Sequence, residues 1–96
     1  MFTVVETEAF SKWLANLRDR AGAAVIARRA RRISQGAFGD AKSVGDSVSE
    51  LRIDYGPGYR VYFTRRGAEV VILLCGGDKS TQARDIAKAQ QLAQEV

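Results

Sequence analysis

The chain has 96 residues, enough for one hydrophobic core and too few for a second domain. Its 46 % hydrophobic content excludes a disordered chain. The single cysteine, Cys75, excludes an internal disulfide, and the lack of histidine excludes a Cys/His zinc site and histidine-based catalysis. The net charge of +4 is spread along the chain, with eight Lys/Arg up to Val48 and seven from Ser49 onward. The excess therefore belongs to the folded body, and it suits either a polyanion or an acidic protein as partner.

No basic region followed by an apolar stretch opens the sequence. The longest apolar run, Val70 to Cys75, is far short of a membrane span, so a cytoplasmic protein without a membrane partner is expected. Phe2 to Val5 reads as a short strand. Phe10, Trp13, Leu14 and Leu17 follow helical spacing, with Thr7 as the N-cap. Gly22 breaks that pattern. A second helix is expected from about Ala23 to Ser34, with Ala23, Ile26, Ala27, Ala30 and Ile33 on one face and Arg28, Arg29, Arg31 and Arg32 on the other. The two helices should form an antiparallel hairpin. Gln35 to Ser47, with three glycines, reads as a loop.

Val48 to Ile53 alternates and reads as a strand, and Asp54 to Gly58 as a turn. Tyr59 to Thr64 is the next strand, followed by a tight Arg65-Arg66-Gly67 connection. Glu69 to Cys75 is almost wholly apolar, which implies burial on both faces and a central place in the sheet. Gly76 and Gly77 should end it. Ser80 or Thr81 can cap a last helix reaching about Gln94. The order β-α-α-β-β-β-α defines a single α+β domain: an antiparallel sheet with its helices on one face and an open face lined by Arg and Tyr.

Three stretches carry a family resemblance. Arg52 stands in a Leu-Arg pair before the turn. Gly58-Tyr59-Arg60-Val61-Tyr62 opens the following strand. Gly77-Asp78-Lys79-Ser80 leads into a helix bearing Asp85, Ile86 and Ala89. In this order and spacing they resemble the RelE/ParE toxin superfamily, in particular its HigB-like addiction module killer branch with phage-derived relatives. The resemblance covers the whole chain in topology and about half of it in motif.

It implies a type II toxin–antitoxin toxin that binds the ribosome, cuts mRNA without a metal or cofactor, and is silenced by a small antitoxin, often a helix-turn-helix protein of HigA type. By position it implies Arg60, Lys79 and Arg52 as the cationic site. Many relatives add a C-terminal catalytic tyrosine or histidine; this chain has neither, its last helix offering Asp85, Gln90 and Gln91.

The chemistry agrees with such a site. Cleavage by the 2′-OH needs a base, an acid and cations around the phosphate. Arginine grips phosphate bidentately and stays charged. Arg52 and Arg60 lie on strands joined by a short turn, and Lys79 reaches the same end of the sheet. Lys79 and Glu50, which shares a face with Arg52, are the candidate proton carriers. Tyr55, Tyr59 and Tyr62 are candidates for stacking on bases, with Tyr59 the more exposed of the last two, and Arg65 and Asp78 complete the substrate contacts.

A plainer reading pairs the arginines with Glu50 and Asp54 and leaves Lys79 as a solvated loop lysine. The arginines from Arg28 to Arg32 read as a solvated helix face, or as a contact to rRNA or antitoxin. Trp13, the phenylalanines and Cys75 read as core. Two further functions share the expected fold: a ParE-like inhibitor of DNA gyrase, and a module that only binds.

Overall fold

In the computed structural model, which describes residues 1–96, β1 (Thr3–Glu6) turns into α1 (Glu8–Asn16) at Thr7. The Thr7 hydroxyl accepts the Phe10 N–H at 3.1 Å, the capping expected from sequence. α2 (Arg20–Ile33) begins three residues before Ala23, because Asp19 caps it by accepting the Gly22 N–H at 2.9 Å. Gly22 thus lies inside the helix rather than breaking it. Glycine is needed there because a Cβ would come within 3 Å of both Asp19 and the Tyr59 ring.

The stretch Gln35 to Ser47, expected to be a loop, contains a strand. β2 (Ala41–Gly45) pairs antiparallel with β3 (Val48–Ile53) across a two-residue turn, Asp46-Ser47, with both residues at positive φ. Those dihedrals match the right-handed twist of a hairpin. β4 (Tyr59–Arg66) and β5 (Val70–Asp78) follow, so Gly76 and Gly77 lie within the last strand instead of ending it. A 3-10 turn (Lys79–Thr81) leads into α3 (Gln82–Glu95). No helix is long and apolar enough to cross a membrane.

The five strands form one mixed sheet in the order β1-β5-β4-β3-β2. The expected antiparallel meander is there in β2 to β5, and β1 adds to it in parallel beside β5. The helices do not share one face. Phe10, Ile26, Ala30 and Ile33 from α1 and α2 pack on Leu51, Ile53, Val61, Phe63, Val71 and Leu73. On the other face Ala89 and Ala93 of α3 pack on Val48, Tyr62, Leu74 and Cys75. A bulge opposite Tyr62 and Phe63 turns Leu74 and Cys75 both toward α3, where both are buried. The apolar run of β5 thus feeds two cores, which is why helices are needed on both sides of it. What stays open is only the end of the second face beyond α3, where β3 and β4 meet their turn.

Candidate functional site

β3 and β4 place Arg52 directly opposite Arg60 and Glu50 directly opposite Tyr62. All four side chains share the α3 face, because Leu51 and Ile53 take the other one. Glu50 is fully buried. Its Oε2 accepts the Tyr62 hydroxyl at 3.0 Å and the Gln82 side-chain amide at 2.7 Å. Its Oε1 faces Nε of Arg52 at 3.6 Å and Nε of Arg60 at 3.8 Å. Both contacts are longer than a hydrogen bond, and Glu50 Oε1 and Arg60 Nε are buried without a hydrogen-bond partner. One carboxylate therefore sits beneath two guanidinium groups and offsets one of their two charges.

Arg60 is held from above as well. Its Nη1 donates to the carbonyls of Gly58 and Tyr59, at 3.3 Å each. Gly58 has a φ of 82°, and a Cβ built on it would lie 3.5 Å from Cβ of Lys79 and 3.6 Å from Nη1 of Arg60. A single glycine thus separates the lysine stem from the guanidinium. Arg52 is the more accessible arginine, with 38 % of its side chain exposed. Its strand position is fixed by an N–H bond to the Asp40 carbonyl at 2.8 Å, and its own carbonyl accepts from Arg29.

The three cations expected from sequence line one cleft. Arg52, Arg60 and Lys79 face it together with Asp40, Asp54 and the Gly56–Gly58 turn, around about 420 Å³. Three cations against two carboxylates leave it cationic, and Lys79 is its exposed cation at the strand end.

Other expected residues lie elsewhere. Tyr62 is fully buried: its ring fills the α3 core, and its hydroxyl is held by Glu50, so burial first and that bond second push its pKa well up. Tyr59 is buried on the opposite face, not exposed. Its hydroxyl donates to Oδ2 of Asp19 at 2.9 Å, and burial with that bond pushes its pKa up to about 12. Neither ring can stack on a base. Asp19 in turn is held below its usual pKa by the Gly22 N–H and the Tyr59 hydroxyl. Tyr55 alone keeps an exposed ring, at the turn beside the cleft. Arg65 lies over Phe38 at 4.3 Å and Phe2 at 5.1 Å, away from the cleft. Asp78 caps the 3-10 turn through the Ser80 N–H, while Thr81, one of the two expected caps, stands at the N-cap of α3 without a side-chain cap bond.

Sequence reasoning missed Gln82 and named Asp85 without a supporting role. Gln82 reaches Glu50 from the start of α3. Asp85 is buried, accepts the Thr81 hydroxyl, and stands where a Cβ on Gly77 would have to go. Gly77, set within a strand and just before a helix, is the signal that something approaches the backbone there.

A family model described as phage-derived protein Gp49-like (DUF891) matches residues 8–94. An uncharacterised protein of Haemophilus influenzae is 52 % identical over 90 residues, which span 94 % of this chain and 91 % of that protein. The chain belongs to the Gp49-like family of phage-derived proteins, a family of addiction-module killer and RelE-like toxins.

Proposed function

We propose that the chain is the toxin of a type II toxin–antitoxin pair, of HigB type, and that it cuts mRNA on the ribosome without a metal. The observation that carries this is the convergence of Arg52, Arg60 and Lys79 on one cleft. In the reaction the 2′-oxygen attacks the adjacent phosphorus, the 5′-oxygen leaves, and the products are a cyclic phosphate and a 5′-hydroxyl. Arg60 and Arg52 hold the phosphate oxygens, and their charge meets the negative charge that grows there. Lys79 gives a proton from its ammonium to the departing 5′-oxygen, and the 2′-hydroxyl proton passes to water, from which the resulting amine is reprotonated. Glu50 does not line the cleft. Its part is to fix the two arginines from below while leaving a net positive charge, which makes it a positioning residue. Tyr55 is the remaining ring for a splayed base. A small helix-turn-helix antitoxin of HigA type is the proposed partner.

The test is induction of wild type and Arg60→Ala in a bacterial host, with mRNA ends mapped by primer extension. Wild type should arrest growth and yield cut mRNA; the variant should cut roughly 10²–10³ times more slowly. Equal arrest and cleavage by both proteins would overturn the assignment. Intact mRNA with gyrase-dependent DNA breaks would replace it with the gyrase reading.

A further inference from the structure

Arg65, expected among the substrate contacts, lies beyond Arg60 on β4, roughly 16 Å along the strand and on the face of α1 and α2. Its guanidinium sits 4.3 Å from the centre of the Phe38 ring and 5.1 Å from that of Phe2, and the two ring centres are 5.5 Å apart. Those three distances place both rings on one side of the guanidinium. Phe38 in turn stacks on Phe63 at 5.4 Å. The other side of the guanidinium is open, since Arg65 is exposed and no carboxylate of the chain pairs with it. A cation held flat over an aromatic stack is ordered before any ligand arrives.

Beside it opens a pocket of about 280 Å³, with Phe38 and Phe63 in its wall and a polar rim of Lys42, Ser43, Ser49 and Arg65. Sheet register explains the gathering. Ser43 pairs with Ser49, and Ser49 with Phe63, so one row across three strands carries both hydroxyls and the ring to one face. The Ser43 hydroxyl accepts the Gly45 N–H at 3.3 Å, which leaves its own proton to donate. Lys42, like Arg65, has no ion pair. The cleft of Arg52, Arg60 and Lys79 mixes its cations with two carboxylates; this pocket has two cations and no carboxylate.

We propose that this pocket binds a nucleotide. Its phosphate lies among Lys42, the serine hydroxyls and the N–H edge of Arg65, and its base lies on the open face of the Arg65 guanidinium. An acidic side chain would meet the two charges but leave that flat face uncovered. The nucleotide is either free or one residue of an RNA strand. A strand has a route, because Gly39 lines this pocket and Asp40 lines the cleft, so the two meet just before β2. Binding here needs no cleavage, so the site stands apart from the function proposed for the cleft.

The probes are adenosine monophosphate, ribose phosphate, decaadenylate and tetraglutamate, each titrated against the isotope-labelled full chain and followed by NMR. The amides of Lys42, Ser49 and Arg65 report this pocket, and those of Arg52 and Lys79 report the cleft, so each site is read separately. Adenosine monophosphate should bind the pocket about tenfold more tightly than ribose phosphate does, through the stacked base. Lys42→Ala and Arg65→Ala should each weaken it by about tenfold. Arg65→Lys keeps the charge and removes the flat face, so it should bring the nucleotide down to the affinity of ribose phosphate. Circular dichroism checks each fold; should Arg65→Ala unfold, Lys42→Ala and Arg65→Lys decide. Tighter binding of decaadenylate, with shifts spreading to Asp40, supports the site with a strand as its source, and equal binding supports it with a free nucleotide. Unmoved pocket amides, unchanged affinity in the folded variants, or equally tight binding of tetraglutamate would overturn the proposal.

Discussion

Glu50 is a buried carboxylate whose neighbours decide what it does. Tyr62 and Gln82 satisfy one oxygen, and two guanidinium groups face the other. Removing one partner of a buried charge cluster leaves the rest uncompensated. Glu50→Gln should therefore cost about 3 kcal/mol in urea denaturation, because Arg60 stays almost wholly buried without its counter-charge. Gln82→Ala leaves the charge in place and removes one donor, so about 1–2 kcal/mol is expected. A larger loss from Gln82→Ala than from Glu50→Gln would refute this ordering. The cationic residues were legible in the sequence, since Arg52 and Arg60 flank one short turn and Lys79 follows the last strand. Gln82 was not, because it lies 32 residues from Glu50 and only the docking of α3 joins them. Tyr59 and Tyr62 were correctly expected on opposite faces. Their burial was not legible, because β4 is covered by helices on both sides.

At the scale of elements, β2 was hidden by its composition. Ala41–Gly45 has one β-branched residue and ends in glycine, so propensity favours a loop, and pairing with β3 overrides it. The turn itself carried a usable signal, a Gly-Asp-Ser step between Val44 and Val48. Asp46 and Ser47 hold φ of 53° and 65°, which L residues adopt at a cost. Asp46→Asn/Ser47→Gly should raise stability by about 1 kcal/mol in chemical denaturation; an unchanged midpoint would show that the turn is not strained. The placement of α1 depends on a second close approach. A Cβ on Gly76 would lie 2.3 Å from the Trp13 ring. Gly76→Ala should cost about 2 kcal/mol by overpacking, and Trp13→Leu should absorb much of that in a double-mutant cycle. The helices' placement on both faces was foreshadowed by the apolar run Val70 to Cys75. Which helix takes which face is set by chain connectivity and by the bulge at Leu74, and neither shows in residue spacing.

For the whole molecule, the absence of histidine fixes how stability answers to pH. Burial pushes the Cys75 thiol from 9.0 to about 11, and burial with the Asp19 bond pushes Tyr59 from 10.0 to about 12. Tyr62 moves in the same direction. A group whose folded pKa lies above its unfolded value contributes stability that is complete below the unfolded value and is lost as pH rises through the folded one. Asp19 has the opposite sign: its pKa is lowered, so its contribution is present above 3.8 and is lost as pH falls below that. The melting temperature should thus be level from about pH 6 to 8 and fall between about pH 9 and 12, as the thiol and then the phenols are forced to ionise. Cys75→Ala removes the first of these and should delay the onset of the fall by about one pH unit, leaving the phenolic part in place. An unshifted onset in that variant would assign the alkaline loss to the tyrosines alone, and with them to the Glu50 and Asp19 bonds that hold the site face and the helical hairpin to the sheet.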